Sequence, residues 1–384
     1  MKICYIADPD IIISLRYMRY FVDRGHEVSL IPSKLHDFDL SMEGNELVGI
    51  KVHFDNRIHN KSRIYRLIAP IKDALKLIRP DIIHIHSLTT QIAKATAFSA
   101  GKIPLVLMPW GADLLKSPQS GIRSLLITKL ALKRLSAVVA PSAIMLQYAV
   151  NYGVHPSLTH LITTGTDLMS FNPDVDYISL KKKLNIPPNA KVILAPRQWS
   201  EKQNTELILR SVPLVLQEFP NVYFVFKNVV GNLGSKLYAI VDELSLSNRV
   251  ILIDRDEPPF ISYANLPPFY RMADAVLSIP TWDTGGPSTL METMACGSVP
   301  IVSKANSQWV RHKMSGFILN HITIDSIAES IIEVLTEPDW VKHARGINHM
   351  IIKWGADRKV GMRKIESLYE DILASRDNSQ NNGA

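Results

Sequence analysis

The stretch DTGGPSTLMETMACG, residues Asp283 to Gly297, decides the fold of this chain. An apolar run of strand length, Ala275 to Ile279, precedes it, and a second run, Val299 to Val302, follows it. Between the two runs, a turn rich in Gly and Pro leads into a helix that begins at Ser288, a residue type favoured at helix starts. A strand, loop and helix in this order place backbone N–H groups at the carboxyl edge of a parallel sheet, where α/β proteins bind anionic nucleotides. The alternative is that the glycines only turn the chain and that Glu292 is a solvated helix residue.

The same alternation of strands and helices extends through both halves of the chain and predicts an α/β fold. Strand-like apolar runs occur at residues 2–7, 26–31, 81–86, 105–108, 137–141, 192–195, 223–226, 250–253 and 275–279. The polar, proline-bearing stretch 172–190 has the composition of a domain junction. We therefore expect a parallel-sheet domain over residues 1–172, a second over 173–356, a terminal helix over 357–374 and a disordered tail over 375–384.

The composition agrees with two globular domains in a reducing compartment. The chain has 384 residues, of which 46% are hydrophobic and 21% charged, and no uncharged apolar run reaches the roughly 18 residues of a membrane span. Cys4 and Cys296 lie far apart in apolar contexts, which predicts buried thiols and a cytoplasmic protein. No Cys/His cluster has the spacing of a zinc site.

The net charge of +7 predicts an anionic partner, either a nucleotide or a membrane surface. Nucleic acid is not expected, because no helix-turn-helix, zinc-finger or base-stacking signature is present. Residues 61–79 have a helical apolar stripe, formed by Ile64, Leu67, Ile68, Ile71, Leu75 and Ile78, and the rest of the segment is mostly basic. This pattern favours a surface helix with a solvated basic face, and the alternative is a helix that rests on anionic lipid. Residues 116–135 are apolar nearly all round, which predicts a buried helix.

Two cations lie in the loop that leaves the first strand of the second half. Arg197 offers a planar fork of donors and Lys202 a point charge, a combination that suits a diphosphate. Glu292, near the start of a later helix, can accept hydrogen bonds from ribose hydroxyls. Together these residues predict a site that recognises both phosphate and ribose.

Other chemistries fit the sequence less well. The Asp254–Asp256 and Asp37–Asp39 segments match the short DxD pattern of metal-dependent sugar transfer, but such matches are frequent by chance, and we expect no metal cofactor. The dinucleotide fingerprint GxGxxG, the hydrolase elbow GxSxG and the P-loop are all absent.

In the first half, polar residues follow two neighbouring strands. The strand DIIHIH delivers His84 and His86 to its carboxyl end, where one is expected in the core and the other at a crevice. Trp110, Gly111 and Asp113 follow the next strand and are expected to face the same crevice.

Several stretches resemble the family-four retaining glycosyltransferases of the GT-B architecture. The similar segments are RGHEVSLI (24–31), RPDIIHIHS (79–87), LITTGTDLMSFNP (161–173) and GGPSTLMETMACGSVPIV (285–302). The last contains the second Glu of the family's E-x7-E motif, here Glu292, and Arg197 and Lys202 have the spacing of its donor-phosphate residues.

The resemblance implies two Rossmann-like domains that face each other across a cleft, with a terminal helix that returns to the first domain. A nucleotide-sugar donor would bind the second domain, and a glycan, lipid-linked saccharide or small-molecule acceptor the first. Arg197 and Lys202 would stabilise the leaving diphosphate without a metal, and Glu292 would hold the ribose. The donor-binding loop would comprise Asp283, Thr284, Gly285, Gly286, Pro287, Ser288 and Thr289. The acceptor side would comprise Trp110, Gly111, Asp113 and His86.

Two departures from the family pattern keep other functions open. Thr284 stands where the first Glu of the motif is expected, and Trp110 stands in place of a His, although Trp cannot act as a base. Gly is also frequent in the family where Pro196 and Gln203 stand. The alternatives are a nucleotide-sugar-binding protein that has lost catalysis, a nucleotide-sugar 2-epimerase on the same architecture, and a membrane-surface protein without a small-molecule site.

Overall fold

The computed structural model describes residues 1–34, 47–59, 63–227, 231–253, 263–283 and 288–381. It divides into unit 1, Met1–Thr163 with Gly361–Ala384, and unit 2, Thr164–Val360. The junction lies earlier than the sequence predicts, at residue 163 rather than 172. The reason is that Phe171 is fully buried in a hydrophobic cluster of unit 2.

Unit 1 is built on a parallel sheet. Its strands are β1 Lys2–Ala7, β2 Glu27–Pro32, β3 Ile50–Val52, β4 Ile82–His86, β5 Leu105–Met108, β6 Ala137–Ala140 and β7 Thr159–Leu161. Its helices before the junction are α1 Ile12–Asp23, α2 Asn56–His59, α3 Ile64–Ile78, α4 Gln91–Ser99, α5 Ala112–Leu115, α6 Ile122–Leu132 and α7 Ala143–Asn151. Within the described residues the strand order is β3-β2-β1-β4-β5-β6-β7. The chain therefore reverses its direction of winding between β1 and β4, which creates a crevice at their carboxyl ends.

The structure can be compared with the sequence predictions for two helices of unit 1, α3 and α6. Helix α3 buries Leu67, Ile71 and Leu75 and exposes its basic residues, so the predicted surface helix is confirmed. The prediction for residues 116–135 is wrong. Helix α6 contributes Thr128, Ala131 and Leu132 to the interior, and its other side, although rich in leucine and isoleucine, is exposed.

Unit 2 repeats the parallel design. Its strands are β8 Lys191–Ala195, β9 Val222–Lys227, β10 Val250–Ile253, β11 Ala275–Ser278, β12 Val299–Ser303 and β13 Phe317–Leu319. Its helices are α8 Ile178–Lys183, α9 Thr205–Glu218, α10 Gly234–Glu243, α11 Pro267–Met272, α12 Ser288–Ala295, α13 Ile324–Leu335 and α14 Asp339–Gly355. Over the residues that the structure describes, the order is β10-β9-β8-β11-β12-β13. The winding reverses between β8 and β11, so the loop after β8, which carries Arg197 and Lys202, and Asp283 after β11 lie beside the same crevice.

The last helix, α15 Arg358–Asn381, belongs to unit 1 from residue 361 onward. It supplies Met362, Ile365 and Tyr369 to the core that faces β1 and α1. The carboxylate of Glu366 accepts hydrogen bonds from the side chains of Tyr20, Arg24 and His26. Burial opposes the charge of Glu366, but these bonds outweigh it and lower the pKa of that carboxyl. The helix continues through residue 381, so the tail predicted to be disordered from residue 375 is helical over most of its length.

The state of the two cysteines and the membrane-span prediction can also be compared with the structure. Cys4 and Cys296 are both buried free thiols, as the sequence predicts, and burial raises the pKa of Cys4 to about 12. In the described parts of the chain, no helix is both long enough and apolar enough to cross a bilayer.

Candidate active site

The loop after β8 is tied closely to the loop after β11. The ring of Trp199 is fully buried in the core beneath the first loop. The carbonyl of Lys202 accepts a hydrogen bond from the backbone N–H of Thr281 at 2.8 Å. The side chain of Asn204 donates to the carbonyl of Ile279 at 2.7 Å. These bonds fix both loops at the point where the winding of the sheet reverses.

Arg197 connects three elements around this point. Its Nη2 lies 3.3 Å from Oδ2 of Asp283, and its Nη1 lies 3.5 Å from the hydroxyl of Thr289 in the first turn of α12. Its Nε donates to the side-chain oxygen of Gln203 at 3.2 Å. Gln203, a departure from the family pattern, thus orients the guanidinium. The structure therefore brings together Arg197, Asp283 and Thr289, which the sequence analysis had assigned to one site.

Lys202 is held by an aromatic ring next to the same loop. Its Nζ lies 3.8 Å from the ring centroid of Trp282, a distance at which the ring attracts a cation. Trp282 directly precedes Asp283, so both cations of the β8 loop contact the β11 loop. Trp282 was not predicted as a site residue, although it directly precedes the donor loop in the sequence.

Glu292 lies in the second turn of α12 and is buried. Its Oε1 accepts a hydrogen bond from the hydroxyl of Tyr263 at 2.8 Å. Burial and the nearby charge of Glu292 raise the pKa of Tyr270 well above its ordinary value. The carboxylate is therefore enclosed by tyrosines in this structure, whereas the sequence placed it at an open crevice.

A buried lysine, Lys227, accompanies this carboxylate and was missed from the sequence. It is the last residue of β9 and lies opposite Ile253 at the carboxyl edge of the sheet. Burial lowers the pKa of Lys227 to about 8, and the negative charge of Glu292 opposes that shift. The available signal was a charged residue at the end of the apolar strand VYFVFK. Lysine is rarely buried unless it has a function or a partner.

Some predicted positions lie outside the described residues. These are Thr284, Gly285, Gly286 and Pro287 of the donor loop and the two DxD segments, Asp254–Asp256 and Asp37–Asp39. Ser288 begins α12, as predicted. Among the residues that are described, no group of three or more His, Cys, Asp or Glu side chains could hold a metal ion.

The acceptor-side prediction for Asp113 needs correction. Its carboxylate accepts hydrogen bonds from the backbone N–H groups of Leu88 and Trp110, both at 3.0 Å. Burial raises the pKa of Asp113, and the backbone hydrogen bonds oppose that shift. Gly111, with a φ of 99°, gives the loop the turn that these bonds require. Asp113 is therefore a buried support that joins the loops after β4 and β5, not a residue whose side chain faces the crevice.

The two histidines of β4 are both buried, which also corrects the expectation that one would face the crevice. Because they are two positions apart on a strand, they lie on the same face of the sheet. His84 bonds to the hydroxyl of Tyr369, and Nδ1 of His86 bonds to the hydroxyl of Ser14 at 2.9 Å. Burial lowers the pKa of His86 to about 3, so its ring is neutral at physiological pH. Among the described residues, Nε2 of His86 and Nε1 of Trp110 are buried without a hydrogen-bond partner.

Solved structures of proteins in complex with UDP, glucose or UDP-GlcNAc share this fold. The Anabaena protein HepE, in complex with UDP and glucose, matches 97% of this chain and 100% of its own length, with a TM-score of 0.78 and 17% identity. The UDP-GlcNAc 2-epimerase of Neisseria meningitidis, bound to UDP-GlcNAc, matches 92% of this chain and 98% of its own length, with a TM-score of 0.61 and 18% identity. The class is therefore GT-B: two α/β units, each with a parallel Rossmann-like sheet.

The family is identified by two models that together span most of the chain. The chain belongs to the group-one, family-four glycosyltransferases: Glycosyltransferase Family 4 matches residues 14–169, and Glycosyl transferases group 1 matches residues 176–350. The D-inositol 3-phosphate glycosyltransferase of Thermobifida fusca is 26% identical over 210 residues, which are 52% of this chain and 47% of that protein. The chain thus spans about half the length of the curated relatives that it matches.

Proposed function

We propose that this protein transfers a sugar from a nucleotide-sugar donor to a hydroxyl group of an acceptor. The observation that carries the proposal is that Arg197 contacts Thr289 of α12 and Lys202 contacts Trp282 in the adjoining loop, where the winding of the unit 2 sheet reverses. Two cations beside a helix start suit a diphosphate, because a phosphate gains both charge pairing and backbone donors there. Membership of the family supports the same reaction class.

In the proposed reaction the diphosphate is the leaving group and Arg197 and Lys202 balance the charge that develops on it. This is electrostatic stabilisation of the transition state. Arg197 must exchange Asp283 for phosphate oxygens, and Lys202 must reach them from the face of Trp282. The ribose would bind near Glu292 by displacing the hydroxyl of Tyr263. We propose that the transferred sugar is a hexose or a related sugar, that its configuration is retained, and that no metal takes part.

The acceptor is proposed to be a glycan, a lipid-linked saccharide or a small molecule, as part of glycoconjugate or surface polysaccharide synthesis. It would bind unit 1 near the loops after β4 and β5. The flat indole of Trp110, which can stack on a sugar face, supports this placement.

The deciding experiment is a thermal-shift screen of the wild-type protein against UDP, GDP, ADP and their common sugars. UDP comes first because HepE was solved with it. A ligand at about 100 times its dissociation constant adds about 2.7 kcal/mol of stability. Stabilisation of the wild type but not of Arg197→Ala is the expected result. Equal stabilisation of both proteins would refute the assignment of Arg197 to the donor site. Stabilisation by none of the nucleotides would refute the proposal of a nucleotide-sugar donor.

Turnover of the donor without an acceptor distinguishes two other functions, a 2-epimerase and a binding protein. An epimerase needs an acid and a base that flank the sugar ring. Incorporation of solvent deuterium into the sugar without any acceptor would therefore identify a 2-epimerase. Donor binding without turnover, even to water, would identify a binding protein.

A further inference from the structure

Helix α6 exposes a continuous apolar stripe. Ile122 is 75% exposed, Leu126 is 54% exposed and Leu130 is 53% exposed. Because these residues are four positions apart, their side chains line one face of the helix over two turns. The opposite face contributes to the core, so the exposed stripe is not needed to hold the helix in place.

Positive charge flanks this stripe along the chain. Arg123 and Lys129 are exposed on the helix itself, and Lys133 and Arg134 are exposed directly after it. The sequence from residue 114 to residue 166 contains no Asp or Glu. The acid that precedes this segment, Asp113, is buried and bonded to backbone N–H groups. The surface of α6 therefore combines exposed aliphatic side chains with cations that no nearby acid in the sequence neutralises.

We propose that α6 docks unit 1 onto the surface of a membrane that contains anionic lipid. The three aliphatic side chains would enter the boundary between headgroups and acyl chains, and the four cations would contact lipid phosphates. A helix with an apolar stripe and flanking Lys and Arg residues binds membranes in this way. This inference goes beyond the proposed function and is independent of which sugar is transferred.

Helix α3, which the sequence suggested for this role, fits it less well. It exposes Tyr65 and Leu77, but Asp73 lies on its exposed side and pairs with Arg57 at 3.1 Å. The guanidinium of Arg66 lies 5.7 Å from the ring centroid of Tyr65. Part of its surface charge is therefore already paired, whereas α6 has no acid.

A second copy of the chain is a poorer occupant of the α6 surface. If two copies associated through this stripe, the cations of one would face the cations of the other, and like charges in contact weaken association. An anionic surface instead meets all four cations with opposite charge. Charge complementarity thus favours lipid.

The test is co-sedimentation of the full chain with vesicles of phosphatidylcholine alone and with vesicles that also contain phosphatidylglycerol. The test variant is Leu126→Gln with Leu130→Gln, because Gln and Leu have similar helix propensities and both positions are exposed. The matched control is Leu77→Gln, which removes a leucine that is 77% exposed on α3.

We expect the wild type and the Leu77 control to bind the anionic vesicles at low salt. The double variant should partition at least about tenfold more weakly, since it loses the insertion of two leucines. Equal binding to both vesicle types, or loss of binding in the Leu77 control alone, would overturn the proposal. So would the absence of vesicle binding together with a wild-type dimer that the double variant abolishes, because that result would make α6 a contact between copies.

Discussion

The two units share the order of their first six strands but differ in the charge that follows the first strand. In unit 1, Asp8 follows β1, and its Oδ2 pairs with Nζ of Lys34 at 2.9 Å. In unit 2, Arg197 follows β8, and its guanidinium pairs with Asp283 at 3.3 Å. The loop after the first strand thus carries an acidic residue in unit 1 and a basic residue in unit 2.

The reversal of winding creates a crevice in both units, and in the proposed reaction the cation in unit 2 balances the diphosphate. The acids differ as well. Asp113 in unit 1 is bonded to backbone N–H groups. Asp283 in unit 2 is bonded to the side chain of Arg197, which is proposed to bind the ligand instead.

The largest effect is expected for Arg197→Ala compared with Asp8→Ala. Loss of Arg197 should slow sugar transfer about 100- to 1,000-fold, the usual cost of removing one preorganised charge contact. Asp8→Ala should change the rate by less than about threefold, because its pair with Lys34 lies in unit 1, outside the proposed donor site. Steady-state transfer kinetics with saturating acceptor would measure both.

Arg210→Ala is the control for the loss of an arginine elsewhere in unit 2. Arg210 pairs with Glu206 and Glu243 on the surface and should retain the wild-type rate. If Arg210→Ala slowed transfer as much as Arg197→Ala, the slower rate would result from the reduced positive charge of unit 2 as a whole. The proposed site would then be wrong.

A second contrast concerns the two acids. Asp113→Ala should lower the free energy of unfolding by about 2–3 kcal/mol, since it leaves the backbone N–H groups of Leu88 and Trp110 without their acceptor. Asp283→Ala should lower it by less than about 1 kcal/mol, as expected for a partly exposed pair. Urea unfolding followed by circular dichroism gives both values. Equal losses would remove the distinction between a structural and a functional acid.

The buried lysine of unit 2 predicts a pH dependence. The pKa of Lys227 is about 8 in the folded protein and near 10.5 when unfolded, so between these values the unfolded state binds more protons and stability rises with pH. Between about pH 8 and about pH 10, the wild type should gain on the order of 2 kcal/mol relative to Lys227→Met. Denaturant unfolding at the two pH values measures this gain. The same slope in both proteins would contradict the assignment.

The smallest effect is expected for Asp283→Asn. This change keeps the shape of the side chain but removes the charge that competes with phosphate for Arg197. The affinity for the nucleoside diphosphate should rise about two- to fivefold, in line with the modest strength of partly exposed pairs. Isothermal titration calorimetry would measure it. A weaker affinity would mean that Asp283 itself binds the ligand.

The sequence predicted the parallel sheets and the Arg197 loop because strand length and loop position are local properties. The exposure of α6 could not be predicted from the sequence, because the sequence pattern of an apolar helix does not show whether neighbouring elements cover one side of it or both. Lys227 and Asp113 were missed or misassigned for a related reason. The charge of Glu292, which acts on Lys227, and the backbone N–H of Leu88, which bonds to Asp113, lie 65 and 25 positions away along the chain. Such proximity depends on tertiary packing rather than on local pattern.

The position of α15 has a consequence for the synthesis of the chain. Unit 2 is one continuous segment, residues 164–360, whereas the core of unit 1 includes Met362, Ile365 and Tyr369. During translation, unit 2 has its whole sequence available while the first domain still lacks part of its interior. The N-terminal domain, which usually folds first, therefore cannot complete its core until the whole of unit 2 has been synthesised. Until then, the hydrophobic surface around β1 and α1 lacks the side chains that α15 contributes.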